Sequence, residues 1–337
     1  MKQTSLSLLA TALTSATAGG LTVLADGPMS AGTEVHDLNG SSLDSSAPAS
    51  GSASSSLNSN GSAAGSSSLV TWQTSTSATA DPGLLHASSG AHVNNTGTGF
   101  SGRDYVFSYA GDSATFDLSS GINDPGAYAI GHWNGIVFSA PAGSGDTTVS
   151  ATFHLRMSGL LTTSAVNFGG PNLGISASAA VDVSAFLSTA YSVPGTSFGG
   201  GANGVMRISQ GGGAPSTESS GLLVGAVFDG ATANDLVLGP FLFPVGQPVT
   251  LDLKLKTAAR ASSYGFYQVD AVSDFSHTLG LPTGSPVFDL PSGFSVDSSE
   301  LGILDDRFVV VPEPRDFAFV AGICCAGLVL WRRRGDK

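Results

Sequence analysis

From Val249 to Lys256 the chain alternates without a break. Val249, Leu251, Leu253 and Leu255 are apolar, and Thr250, Asp252, Lys254 and Lys256 are polar or charged. Successive side chains of an extended strand point to opposite faces, whereas the apolar positions of a helix recur every three to four residues. The segment is therefore expected as a strand with one buried face. Its register is tightly constrained, because a slip of one residue would carry Asp252, Lys254 and Lys256 into the core together. Lys254 and Lys256, both on the polar face, are expected to discourage edge-to-edge pairing.

The same period recurs elsewhere. Val149, Ala151, Phe153, Leu155 and Met157 alternate with Thr148, Ser150, Thr152, His154 and Arg156. Ile175, Ala177, Ala179, Val181, Val183 and Ala185 alternate with Ser176, Ser178, Ala180, Asp182 and Ser184. Shorter strand candidates are Tyr105–Tyr109, Ala114–Leu118, Gly135–Phe138, Val205–Ile208, Leu222–Phe228, Leu236–Leu238, Phe266–Val272 and Val287–Leu290, with Leu301–Val311 as the last. Turn clusters such as Asn123-Asp124-Pro125-Gly126, Phe198-Gly199-Gly200-Gly201 and Gly211-Gly212-Gly213-Ala214-Pro215 separate them. Glycine supplies positive φ there and proline presets the turn. Outside the two termini no segment holds a 3.6-residue apolar period. Many short one-sided strands point to an all-β body, a β-sandwich or jelly-roll-like fold, spanning residues 69–311.

Composition agrees with that class. The chain has 337 residues, 45 of them glycine, and only 11% are charged, which suits a turn-rich β protein. The formal net charge of −12 argues against a nucleic-acid partner, which needs a basic face. The two cysteines, Cys324 and Cys325, are adjacent in an apolar run near the C-terminus, so residues 69–311 carry neither a disulfide nor a thiolate metal site.

Residues 1–25 read as a signal peptide, with Lys2, an apolar stretch from Leu6 to Ala18, and small-residue cleavage patterns ending at Ala18 and at Ala25. Residues 26–68 are dominated by Ser, Gly, Ala and Asn and are expected as a disordered linker with little to bury.

The residues that could carry chemistry are sparse. The six histidines, His36, His86, His92, His132, His154 and His277, show no spacing that gathers three or four ligands, so no metal site is expected. Asp305 and Asp306 are adjacent carboxylates, with Asp270, Asp274 and Asp289 close in sequence. They fit a solvated acidic edge best, calcium held by loop oxygens next, and glycosidic hydrolysis least. Neither a nucleophile elbow nor a phosphate loop is present, so no enzyme activity and no cofactor beyond that calcium are expected. His132-Trp133-Asn134-Gly135 sets an aromatic, an amide and a glycine together, which makes Trp133 a candidate glycan contact.

The C-terminal stretch has three parts in fixed order: Pro312-Glu313-Pro314, a charge-free apolar run from Phe317 to Trp331, and Arg332-Arg333-Arg334. Trp331 beside three arginines fits an interfacial anchor on the side where positive charge is retained. As a helix the run rises roughly 22 Å, short against a span of ~20 residues. In order, spacing and position this stretch resembles the PEP-CTERM sorting tail of exported bacterial proteins. Asp274-Phe275-Ser276 followed by Pro291-Ser292-Gly293-Phe294 also resembles the closing portion of such proteins. The resemblance implies that residues 312–337 are a sorting tail, with a transmembrane helix at 317–331 and a basic end at 332–337. Pro312, Glu313 and Pro314 would be the processing motif, read by an exosortase-type membrane protease. Arg332, Arg333 and Arg334 would stop transfer. The expected product is an exported structural or adhesive protein of the cell surface or extracellular matrix, membrane-associated before processing, with extracellular polysaccharide as a further partner. The competing expectations are an exported carbohydrate-binding or glycan-cleaving module and a permanently tail-anchored membrane protein.

Overall fold

The computed structural model describes residues 29–37, 40–45, 53–64, 69–95, 105–110, 127–169, 174–264 and 266–309. Their regular elements are all strands: β1 (Met29–Asp37), β2 (Gly40–Ser45), β3 (Ala53–Ala64), β4 (Leu69–Asp81), β5 (Leu84–Asn95), β6 (Tyr105–Ala110), β7 (Ala127–Ser139), β8 (Thr148–Asn167) and β9 (Ile175–Ser188). There follow β10 (Gly200–Gln210), β11 (Ser216–Gly221), β12 (Asp229–Pro244), β13 (Pro248–Tyr264), β14 (Tyr267–Gly280), β15 (Phe288–Asp289), β16 (Ser295–Asp297), β17 (Ile303–Leu304) and β18 (Arg307–Phe308). Two stacked sheets result. The nine-stranded one runs β11-β10-β9-β13-β6-β1-β7-β16 with β2 beside β1, and the seven-stranded one runs β12-β8-β14-β5-β4-β3 with β15 beside β8. Among the described residues no helix is long and apolar enough to cross a membrane.

The alternating stretch is the spine of the larger sheet. β13 pairs along its length with β9, from Thr250↔Ser188 to Ser263↔Ile175. Its other edge pairs first with β7 and then with β6, so those two strands lie end to end, and β1 runs beside both. Val249, Leu251, Leu253 and Leu255 are all buried in the core between the sheets. Each is worth roughly 1.5–3 kcal/mol of burial, so a one-residue slip forfeits on the order of 10 kcal/mol, the size of a domain's whole stability. The two lysines do not guard an edge: β13 is central. Lys256 instead lies 3.9 Å from Asp182 on β9, with side chains only 12% and 13% exposed.

The core varies in side-chain size along the sandwich. At one end Phe138 stacks on Phe243, with ring centroids 4.6 Å apart, and both meet Phe288 edge-on. Where β13 continues as Thr257, Ala259 and Ala261, a band of small residues occupies the other layer, Ala87, Ser89 and Ala91 on β5 and Ala271 and Ser273 on β14, before Val93 and Val269 restore larger side chains. The layers approach so closely there that Ser89 Oγ lies 2.9 Å from Thr257 Oγ1, and Ser273 Oγ donates to the Ala180 carbonyl at 2.8 Å.

Three segments depart from the sequence reading, two from its alternation and one from its composition. Leu222–Phe228 is a turn, closed by bonds from Leu223 N to Ser220 O and from Ala226 N to Leu223 O. Leu223 and Phe228 plug the core while Val224 and Val227 face water, and Gly221 and Gly225 take positive φ. Leu301–Val309 is not one strand but the hairpin β17–β18, because Asp305 and Asp306 both adopt left-handed φ, 49° and 61°. That is the pattern of a type I′ turn, which Asp tolerates. Within 26–68, where composition points to a linker, β1, β2 and β3 pair into the sheets. Ladder bonds use backbone only, so a Ser-rich segment can extend a sheet edge while Ser54, Ser56, Asn58 and Asn60 stay exposed. Residues 114–118 and the termini 1–25 and 310–337 lie outside the described residues.

Gly131 and Trp133 both point inward, and the indole folds over the glycine. A Cβ on Gly131 would sit 1.9 Å from the indole Cη2. Gly131→Ala is expected to cost about 1–3 kcal/mol through overpacking. Gly135→Ala, at φ 82° with nothing within 4 Å, should cost only backbone strain of about 1–2 kcal/mol. Urea unfolding of both variants, read together with the near-ultraviolet signal of Trp133, checks this: only Gly131→Ala should disturb the indole environment.

Candidate functional site

A β-bulge in β7 sorts the side chains of the His-Trp-Asn-Gly segment. Leu251 pairs with Trp133 and Val249 with Ile136, so Asn134 and Gly135 together oppose Thr250. The extra residue resets the alternation. Trp133 and Ile136, three apart, both point into the core, while His132 and Asn134 point outward. Trp133 is 1% exposed, so it cannot stack on a sugar, and the expectation that it contacts glycan is corrected. The segment is a bulged strand, and its pairing with β13 turns the indole to the inner face.

The aromatic on the outer face comes from another strand. Across four antiparallel strands the register aligns His132 on β7, Asp252 on β13, Phe186 on β9 and Gly201 on β10. Directly opposed residues have Cβ atoms about 4.5–5.5 Å apart, so the four form one continuous row. Phe186 is 49% exposed, although its neighbours Ala185 and Leu187 are buried on the other face. Its ring leans over Gly201, where a Cβ would meet the Phe186 Cδ1 at 2.2 Å. His132 Nδ1 and Asp252 Oδ1 are 2.5 Å apart, with side chains 44% and 45% exposed. The flanking rows hold Thr250 and Ser188 on one side, and Lys254, Ser184 and Asn203 on the other. Thr250 Oγ1 donates to Asn134 Oδ1 at 2.6 Å, and the Asn134 amide N–H donates to Glu300 Oε2 at 2.8 Å. Burial, reinforced by Lys256, pulls the Lys254 ammonium down to about 8. The row therefore offers a half-covered ring beside a carboxylate and an imidazole. The sequence signal of Phe186 is one large apolar residue on the polar side of the β9 alternation, too short to mark a surface without the partner strands.

The remaining candidates are dispersed. His86 and His92 share the outer face of β5 but lie six residues apart, roughly 20 Å along a strand, too far to share a metal. Each sits beside an aspartate, Asp81 and Asp270 respectively. Around Asp270 a serine and a histidine also meet: His92 bonds one carboxylate oxygen, and Ser164 Oγ donates to the other at 3.0 Å. The carboxylate stands in the middle, so Ser164 lacks the histidine partner of a nucleophilic triad, in which histidine is central. Burial raises the Asp270 pKa, but hydrogen bonds from His92, Gln268 and Ser164 outweigh it and leave the carboxyl below its ordinary value. No group of three metal-ligating side chains converges among the described residues. Pro312–Pro314 and Arg332–Arg334 lie outside the described residues.

Asp305 and Asp306 serve the hairpin turn. Asp306 Oδ1 accepts the Phe288 amide N–H at 2.9 Å, which clamps β15, itself paired with β8, to the β17–β18 hairpin. His154 Nε2 approaches Asp289 Oδ2 to 2.9 Å, close in distance but off the hydrogen-bond direction. Burial, reinforced by the Asp289 charge, raises the Asp306 pKa to about 6 despite the amide donors of Phe288 and Val287. The folded chain therefore holds a proton there that the unfolded chain releases near 3.8. The stability this group contributes is complete below pH 3.8 and is lost as pH rises through about 6. Asp306→Asn stays neutral, keeps the acceptor and tolerates positive φ. Relative to wild type its Tm should rise as pH is taken from 4.5 to 7.5, followed by circular dichroism. Identical pH profiles for the two proteins would refute this account of the clamp.

No family model, no curated protein and no solved structure matches the chain.

Proposed function

We propose that this chain is an exported structural or adhesive protein of the cell surface or extracellular matrix, delivered by a PEP-CTERM-type tail. The observation that carries the reading is the order Pro312-Glu313-Pro314, Phe317–Trp331, Arg332-Arg333-Arg334. In this mechanism a signal peptide at 1–25 starts export. The apolar run then pauses in the bilayer as a helix, and the three arginines hold the cytoplasmic end against transfer. Pro312 and Pro314 keep the motif extended, since proline lacks an amide donor and resists helix, so a membrane protease of the exosortase type meets an open backbone. Cutting there releases the body as a β-sandwich.

The body's composition supports release into an aqueous matrix. Its sheets carry serine, threonine and asparagine on outward positions, as in Ser54, Ser56, Asn58 and Asn60 on β3. Few exposed charges and a strand-built frame suit a component that presents surface rather than turning over substrate. Retention of the apolar tail as a permanent anchor is the competing outcome.

Intact mass and terminal peptide mapping of the protein recovered from its native cell surface and medium test the mechanism. The expected species lacks residues 1–25 and everything beyond the Pro-Glu-Pro region. A membrane-bound species that still carries Arg332–Arg334 would establish a tail anchor instead.

A further inference from the structure

We propose that the outer face of the nine-stranded sheet carries a binding site for a pyranose unit of a neutral polysaccharide, centred on Phe186 with Asp252 and His132. It goes beyond the export reading and does not depend on it.

Phe186 is a large apolar side chain placed where the alternation calls for a polar one, yet it is 49% exposed. Its position is built rather than incidental. Gly201 opposite leaves the space the ring leans into, and any side chain there would expel it. One side of the ring is thus taken up by backbone, and the rest is left to solvent. Its neighbours across and along the strands are polar: Asp252, Thr250, Lys254, Asn203, Ser184 and Ser188. A protein partner would call for a contiguous apolar patch, which this single ring among polar residues does not offer.

A hexopyranose matches the arrangement. It has an apolar face of C–H groups that packs on an aromatic ring and a rim of hydroxyls that need donors and acceptors. The row supplies both at neighbouring positions. Asp252 Oδ1 is engaged by His132 Nδ1, which fixes the carboxylate. Asp252 Oδ2 and His132 Nε2 have no partner among the described residues, which leaves the pair one carboxylate oxygen and one ring nitrogen for a hydroxyl. In the rows around Phe186 the Asp252 carboxylate is balanced by Lys254, the remaining flanking side chains are serine, threonine and asparagine, and the chain at −12 disfavours polyanions, so the polymer is assigned as neutral.

The test uses the full chain purified in an amine-oxide detergent, which carries no sugar. It is titrated with hydroxyethylcellulose and galactomannan, and in parallel with polygalacturonate, by calorimetry and affinity electrophoresis. At least one neutral polymer should bind saturably. Phe186→Leu, which keeps apolar bulk but loses the ring, should weaken that binding roughly tenfold or more. Phe186→Tyr should stay within about threefold of wild type. Asp252→Asn should weaken binding with the unfolding midpoint little changed. The site is refuted if Phe186→Leu binds as wild type, if only polygalacturonate binds, or if neither neutral polymer binds. Each of these outcomes leaves the mass measurement on the tail untouched.

Discussion

Everything in this fold hangs on the register of β13. The strand is flanked on both edges, and its two faces have opposite tasks. Val249, Leu251, Leu253 and Leu255 close the core, while Asp252, Lys254 and Lys256 look outward among partners on β7 and β9. Once that strand is fixed, β9 is fixed by a long ladder, and β7, β6 and β1 follow on the other side. The His132–Asp252–Phe186 row exists only in this register, since a slip of one residue would bury Asp252 and set Leu251 or Leu253 opposite Phe186.

Glycine in such sheets would ordinarily weaken them, because it adds backbone freedom and no packing surface. Here aromatic rings take the space that glycines leave. Trp133 folds over Gly131, Phe275 over Gly159, Phe241 over Gly200 and Phe186 over Gly201. Gly200 and Gly201 are neighbours and point to opposite faces, so one ring lies toward the core and the other toward water. The same local device thereby fills the interior in three places and presents an aromatic surface in one.

The strands with sustained alternation were legible in the sequence because period two is a direct image of one-sided burial. β8, β9 and β13 lie where that pattern places them, and the all-β class follows from them. Other features were not legible, for physical reasons. Ser-rich segments such as β3 join the seven-stranded sheet through backbone bonds, which leave no mark on side-chain composition. The bulge at Asn134-Gly135 shifts the alternation by one residue, so Trp133 could not be assigned to a face without knowing the partner strand. Phe186, Asp252 and His132 are separated by long stretches of chain and meet only through pairing. The apolar letters of Leu222–Phe228 read as strand, but two glycines at positive φ reverse the chain there.

The serine and threonine contacts between the layers have a mechanical meaning. An apolar interface between two sheets is non-directional, and it tolerates sliding of one sheet over the other as long as area stays covered. A hydrogen bond does not, because it weakens steeply once its angle opens. Ser89 against Thr257, and Ser273 against the Ala180 carbonyl, therefore act as dowels in the small-residue band. They fix the lateral offset of the two layers where side chains are too small to interlock by shape. Tension drawn along the strands would then be resisted in shear as well as by the ladders within each sheet.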